Sequence, residues 1–258
     1  MPDDPADAKP VAEPSPLGAR LEAAVHESEQ RMLEALAEAV ETIRRSGRHE
    51  SDRVYAQIEA LLWLRDALEL ERPLPPTRGW AASPDLLLEV AKDIRDAPPE
   101  AVVEMGSGTS SIVIAACLRK SGGGRLVSLE HDAEHAVRTR AELERHGLSG
   151  RATVLDAPLG DVLIAGAAWR WYTVPMAELP PRVEMLFVDG PPGNTGPLAR
   201  YPALPVLRDR LTSTATIFVD DGVRADEREI IDRWLREDPG FVAHMIPSEK
   251  EAWVLRRM

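Results

Sequence analysis

Apolar residues between Leu17 and Leu68 recur at three- and four-residue steps, with Glu and Arg between them: Leu17, Leu21, Ala24, Val25, Met32, Leu33, Leu36, Val40 and Ile43, then Tyr55, Ile58, Leu61, Leu62, Leu64 and Leu68. That spacing puts one apolar stripe on a helix. Ser46-Gly47 predicts the end of a first helix, and Pro73 lies just past the end of a second. Helices of this kind seldom hold in water without a partner. An α-hairpin packed on its own domain and a helical dimerisation arm are both open.

The period changes after Pro98-Pro99. Short apolar runs now alternate with helical stretches. Ala101–Met105, Arg125–Leu129, Arg151–Leu155, Val183–Val188 and Ala215–Val219 read as buried strands. Helices are predicted for Ile112–Lys120, Ala133–His146 and Ala225–Glu237, and a further one opens at Ser83-Pro84 as N-cap and first helical position. Phe241–Ile246 and Ala252–Leu255 read as a terminal strand pair. Strand-then-helix order implies a parallel sheet covered on both faces. The expected organisation is a disordered Pro/Asp/Ala tail over 1–16, a helical arm over 17–72 and an α/β domain over 73–258.

Charge changes this picture only by its placement. The 258 residues carry a formal net charge of −12. Residues 1–72 hold 16 acidic and 9 basic side chains, and residues 73–258 hold 27 and 22. The acidity therefore belongs largely to the N-terminal quarter. It argues against nucleic acid or an anionic membrane surface as partner. One cysteine, Cys117, excludes an intrachain disulfide and any site built on several thiols. No apolar run approaches the ~18 residues of a membrane span, and the N-terminus lacks the features of a secretory signal. A cytoplasmic protein is expected.

The chemistry gathers at strand ends. Glu104 lies in the first strand; Glu130, Asp156, Asp189 and Asp220-Asp221 follow the next four. Ligands of open α/β sheets bind at those ends. Gly106-Ser-Gly108-Thr-Ser-Ser111 resembles a dinucleotide turn, but Ser111 stands where the third glycine would be. Glu104 opposes a pyrophosphate and suits a cation. S-adenosylmethionine, with its ammonium and sulfonium, is such a ligand. Glu130 is placed to accept ribose hydroxyls, and Asp156 to meet an adenine amino group. Asp189, Asp220 and Asp221 would meet on adjacent strands, where a cation such as Mg²⁺ or Mn²⁺ would relieve their repulsion. Equally, Asp220 or Asp221 could cap the next helix while Asp189 shapes the Gly-Pro-Pro-Gly turn.

Val103-Glu-Met-Gly-Ser-Gly-Thr-Ser110, Ser128-Leu-Glu-His-Asp132, Val154-Leu-Asp-Ala157 and Phe187-Val-Asp-Gly-Pro-Pro-Gly193 together resemble class I S-adenosylmethionine-dependent methyltransferases over about residues 78–235. The nearest likeness is to bacterial O-methyltransferases of sugars and natural products, some of them divalent-metal-dependent. The resemblance implies a Rossmann-like, seven-stranded, mostly parallel sheet with helices on both faces, here with an N-terminal helical extension. It implies a cofactor site drawn from Trp80, Ser83, Glu104, Gly106, Ser107, Gly108, Ser110, Glu130, His131, Asp156, Ala157 and Asp189, and a metal held by Asp189, Asp220 and Asp221. Related sugar enzymes often place a His three residues after the first metal-binding Asp; here Pro192 stands there. The base is therefore open among Asp189, His131 and Tyr201.

The expected function is methyl transfer to a hydroxyl of a sugar or saccharide, with divalent-metal assistance and a homo-oligomer formed through the N-terminal helices. Rival readings are a metal-independent methyltransferase of another scaffold, a NAD(P)-dependent oxidoreductase, and a scaffold protein assembled through residues 17–72.

Overall fold

A computed structural model describes residues 16–258; the tail expected over 1–16 lies, but for Pro16, outside them. Helix α1 runs without interruption over Pro16–Leu68. The expected break at Ser46-Gly47 is absent. A single glycine costs a helix only about 1 kcal/mol, and no proline stands near to stop it. The i,i+4 pair Glu41–Arg45, at 3.1 Å, lies just before that glycine, and the Ser51 hydroxyl donates back to the Gly47 carbonyl. By packing, the chain divides into two compact units between Val54 and Tyr55. In the first unit Met32, Leu33, Leu36 and Val40 are exposed.

The second unit holds the sheet. After the last turns of α1 come α2 (Pro84–Asp96), β1 (Ala101–Met105), α3 (Thr109–Lys120), β2 (Arg125–Glu130), α4 (Ala133–Arg145) and β3 (Ala152–Asp156). Then follow β4 (Leu159–Ile164), β5 (Ala167–Tyr172), β6 (Val183–Val188), α5 (Ala203–Leu207), β7 (Leu211–Val219), α6 (Ala225–Glu237), β8 (Phe241–Ile246) and β9 (Ala252–Arg257). Seven strands form one sheet in the order β3-β2-β1-β6-β7-β9-β8. The first five are parallel, while β9 pairs antiparallel with both β7 and β8. This is the Rossmann-like, seven-stranded, mostly parallel sheet that the resemblance implied.

Its central strands β1, β6 and β7 bury both faces over most of their length, which is why they read as nearly continuous apolar runs. Val102, Phe187 and Phe218 enter one core with Leu64, Leu68, Leu86, Leu87, Ile94 and Ile112. Their chain neighbours Val103, Leu186, Val188, Ile217 and Val219 enter the other, with Trp171, Tyr201, Ile230 and Trp234. The single thiol, Cys117, is buried in the first core, and burial pushes it up to about 12.

β4 and β5 form a separate antiparallel hairpin between β3 and β6, where the sequence pattern predicted no strand. Its two-residue turn, Ala165-Gly166, has φ of 50° and 82°, the positive values that right-twisted hairpins need. Among the described residues no helix is long and apolar enough to cross a membrane.

Candidate active site

The C-terminal ends of β1, β2 and β6 meet in register. The Gly106 amide donates to the Leu129 carbonyl at 2.9 Å, and the Asp189 amide to the Met105 carbonyl at 3.1 Å. These bonds fix the Gly106–Gly108 turn beside the start of the Asp189–Gly193 segment. Gly190 has to be glycine: a Cβ there would collide with the Tyr172 hydroxyl and lie 3.1 Å from the Gly106 nitrogen. Around this junction lies a cavity of about 360 Å³ whose wall includes Trp80, Gly106, Ser107, Glu130, His131 and Tyr172, then Asp189, Arg200, Asp221, Arg224 and Lys250. A larger cavity of about 660 Å³, lined by Trp63, Leu68, Leu88, Lys92, Arg95 and Cys117 among others, is mostly apolar and gathers no carboxylates. The smaller one carries the chemistry.

Glu130 dominates its β2 side. The side chain is buried yet reaches the wall. Oε2 accepts the Ser107 hydroxyl at 2.9 Å, and Oε1 accepts the Asp132 amide at 3.0 Å. Ser107 is itself held, its hydroxyl 3.1 Å from that of Thr139 and its carbonyl 2.9 Å from His135 Nε2. His131 Nδ1 lies 3.0 Å from Glu130 Oε1, so this ring follows the carboxylate.

Glu104 is placed differently from the expectation of direct cofactor contact. It is fully buried beneath the turn, off the cavity wall, and accepts the Ser111 and Ser128 hydroxyls at 2.5 Å each. The Ser111 hydroxyl in turn accepts the Gly108 amide. Glu104 thus braces the glycine turn from behind. Burial raises its carboxyl to about 7, against the lowering effect of hydroxyls from Ser110, Ser111 and Ser128.

Other expected cofactor residues also sit off the wall. Asp156 ends β3, but its carboxylate pairs with Arg140 at 2.8 Å and is largely exposed. Ala157 is buried, its amide bonded to the Glu130 carbonyl at 2.7 Å. Ser83 and Ser110 are buried away from the wall, and Ser83 makes no side-chain cap. Gly108, with φ of 142°, packs close to His135. Trp80 stands at the wall with four-fifths of its surface exposed.

The β6 and β7 side holds the three aspartates. One carboxylate oxygen from each of Asp189, Asp220 and Asp221 lies within 4.8 Å of the others. Adjacent parallel strands bring them together, as the strand order requires. Asp221 adopts a φ of 60°, a left-handed conformation that Asp tolerates and that clusters at functional sites. Burial first, then the Asp220 charge, raises Asp189 well above the usual carboxylate range, while Arg200 pulls it down. Asp220 is raised to about 6, by burial and then by Asp221.

Cations fill the same space. Arg200 is buried; its guanidinium donates to Asp221 Oδ2 at 2.7 Å and to the Asp220 and Asp189 carbonyls at 2.9 and 3.0 Å. It also lies 3.4 Å from Asp189 Oδ1 and 3.6 Å from Glu227. Arg224 approaches Asp221 at 3.1 Å. Lys250 Nζ stands 3.9 Å from Asp220 and 3.8 Å from Asp221, and donates to the Gly79 and Ala81 carbonyls. Arg200 comes from the segment between β6 and α5, and Lys250 from the turn between β8 and β9.

Tyr201 does not reach this site. Its hydroxyl donates to Glu237 at 2.8 Å, and its ring lies under the Arg233 guanidinium at 3.9 Å. It is a core residue, and the set of base candidates on the wall reduces to Asp189 and His131. Trp171 is buried in the same core, while Tyr172 reaches the cavity.

Residues 103–222 match the family model described as a methyltransferase domain. Among solved structures, a methyltransferase from Podospora anserina bound to S-adenosylhomocysteine is 16% identical, with a TM-score of 0.55 over 81% of this chain and 96% of that one. A Geobacter sulfurreducens methyltransferase is 17% identical, with a TM-score of 0.51 over 78% and 88%. An O-methyltransferase of Streptomyces achromogenes involved in tomaymycin synthesis, in complex with S-adenosylmethionine, is 16% identical, with a TM-score of 0.50 over 81% and 96%. At these identities the likeness is one of fold. No curated protein matches the chain.

Proposed function

We propose that this chain, an enzyme whose residues 103–222 match a methyltransferase domain, transfers a methyl group from S-adenosylmethionine to a hydroxyl of a small molecule. The observation that carries the reading is the Glu130 carboxylate, held on the cavity wall at the end of β2 beside the Gly106–Gly108 turn. Both of its oxygens are oriented by donors and reach a ligand as fixed acceptors. The Streptomyces protein, an O-methyltransferase in complex with S-adenosylmethionine, supports both cofactor and atom type.

The donor set fits that cofactor. Glu130 offers acceptors for a vicinal diol, the glycine turn lets backbone approach closely, and the acids on the wall favour a cationic ligand. When bound, the cofactor supplies an electrophilic methyl group. The chain aligns the acceptor oxygen for in-line attack and receives its proton. Asp189 is the better placed base, because it lies on the wall between the two halves of the cleft and burial raises its proton affinity. His131, turned to Glu130, is the second candidate.

A saccharide acceptor is the finer part of the proposal. Asp189, Asn194, Asp221, Arg224 and Lys250 give the wall the donors and acceptors a polyhydroxylated ligand needs, and the exposed Trp80 ring offers a face for a sugar. Metal assistance fares worse against the site's own chemistry. Asp221 Oδ2 is bonded to Arg200, and Asp189 Oδ1 faces the same guanidinium. Asp220 Oδ1 accepts the Asp221 amide. Of the remaining oxygens, Asp220 Oδ2 is buried without a hydrogen-bond partner, and the Lys250 ammonium stands 3.9 Å from it and 3.8 Å from Asp221 Oδ1, in the place an ion would take. The arrangement does not fit a divalent ion and favours the metal-independent form of the reaction. A cytoplasmic setting and self-association through residues 17–72 belong to the same proposal. The latter is supported by the exposed apolar residues of α1 and is tested by light scattering of the purified chain.

Calorimetry with S-adenosylhomocysteine tests the cofactor. Binding is expected in the wild type, weakened about 10- to 100-fold in Glu130→Ala, as loss of charged hydrogen bonds worth about 1.5–3 kcal/mol requires. No binding by the folded wild type, or binding of NAD alone, overturns the reading. Labelled methyl transfer across sugars and phenols then identifies the acceptor.

A further inference from the structure

We propose that Arg200 and Lys250 together do the work of a divalent cation at the β6–β7 strand ends, so that the acceptor half of the cleft is built to be metal-free. This rests on the cleft being a methyltransferase site for its functional meaning, though not for its charge chemistry.

The three aspartates are compensated from within the chain. Arg200 enters from the segment before α5 and binds Asp221 at 2.7 Å while lying 3.4 Å from Asp189. Its two bonds to the Asp189 and Asp220 carbonyls tie β6 to β7. Lys250, from the turn between β8 and β9, stands within 4 Å of both Asp220 and Asp221. It also donates to the carbonyls of Gly79 and Ala81, which flank Trp80. The ammonium therefore links the acid pair to the segment that carries the aromatic ring of the wall.

Counting the immediate cluster, Asp189, Asp220, Asp221 and Glu227 face Arg200, Arg224 and Lys250. A further doubly charged ion would make the cluster positive and would sit against the Lys250 ammonium. The three fixed cations nearly balance the carboxylates from within the chain. Lys250 is thus a positioning residue: it excludes the ion and holds the Trp80 segment over the acceptor.

The test uses the full-length protein after dialysis against EDTA. Mn²⁺ binding is followed by electron paramagnetic resonance, and S-adenosylhomocysteine binding by calorimetry in the same preparation. The wild type is expected to show no Mn²⁺ binding below about 1 mM, while binding the nucleoside as tightly as before dialysis. Lys250→Gln frees Asp220 and Asp221 and is expected to bind Mn²⁺ at least tenfold more tightly; Lys250→Arg is expected to stay like the wild type. Lys250 is partly exposed, so its variants are the safer ones to fold, and the wild-type titration decides even if they fail. Micromolar Mn²⁺ binding by the wild type, lost in Asp220→Asn, overturns the proposal, as does a Lys250→Gln protein with unchanged affinity for the ion. Absence of nucleoside binding instead strikes the methyltransferase reading and leaves the Mn²⁺ result to stand on its own.

Discussion

Glu104→Gln gives a sharp test of how the glycine turn is supported. The wild-type carboxyl is fully buried and raised to about 7, chiefly by that burial. In the unfolded chain it returns to its ordinary 4.5. The folded state therefore binds the proton more tightly, and the sign follows from linkage: stability falls as pH rises through the window from 4.5 to 7. Below it both states are protonated and nothing is lost. Above it, folding carries the full cost of a buried charge, about 3 kcal/mol at roughly 1.36 kcal/mol per pH unit. About 2.5 kcal/mol of this falls between about pH 5 and pH 8. The Glu104→Gln side chain keeps an acceptor for the Ser111 and Ser128 hydroxyls and has no proton to lose. Urea unfolding of both proteins across that pH range isolates this residue, because other titrating groups, Asp220 among them, cancel in the difference. The difference is expected to shift by about 2.5 kcal/mol in favour of the Gln variant as pH rises. A difference that stays flat over that range would falsify the view that Glu104 is a buried acid whose ionisation is costly to the fold.

Gly190→Ala is expected to cost about 1–3 kcal/mol, the range for overpacking, because its Cβ would meet the Tyr172 hydroxyl. Since that hydroxyl has no partner, adding Tyr172→Phe should recover much of the loss in urea midpoint; no recovery in the double variant means the clash is elsewhere. Tyr201→Phe should leave the methyl-transfer rate unchanged while lowering stability by about 1 kcal/mol through the lost bond to Glu237, and a hundredfold fall in rate would return Tyr201 to the catalytic group. Ser107→Ala removes one of the donors that orient Glu130 and should weaken S-adenosylhomocysteine binding several-fold, with calorimetry as the readout and an unchanged affinity as the contrary result.

The sheet was legible because its central strands β1, β6 and β7 are largely buried on both faces and announce themselves as short apolar runs, with an acid in or just after each of the five parallel strands. That edge follows from chain order alone, and it located Glu130, Asp189 and Asp221 at the cavity. The misreadings share a cause: local signals that tertiary structure outweighed. Gly47 reads as a helix stop, yet nothing at that point demands a left-handed residue, and α1 passes through it. The β4–β5 hairpin was hidden because its turn is Ala165-Gly166 rather than Asn-Gly. Asp156 sits at the right strand end, but Arg140 on α4 draws its carboxylate outward, a contact no spacing rule reveals. Arg200 and Lys250 lie 50 residues apart in sequence and meet only through the strand order.

Those two cations change what the acidic edge means. Seen as sequence, every strand end offered a carboxylate and the whole edge looked suited to positive ligands. In the fold the edge divides. Around Glu130 the carboxylate is met by hydroxyl, amide and imidazole groups, and among them only a protonated imidazole would carry charge. This half keeps its negative character and, under the proposed function, takes the positively charged cofactor. Around Asp189, Asp220 and Asp221 the guanidinium and ammonium groups return the local charge close to balance. A nearly neutral but strongly hydrogen-bonding surface suits an uncharged hydroxylated acceptor, which a bare triad of acids would bind less well than water or a metal ion. The same residue type at adjacent strand ends thus serves two ligands of different charge, and the difference is made by which strand end receives a partner from outside the sheet.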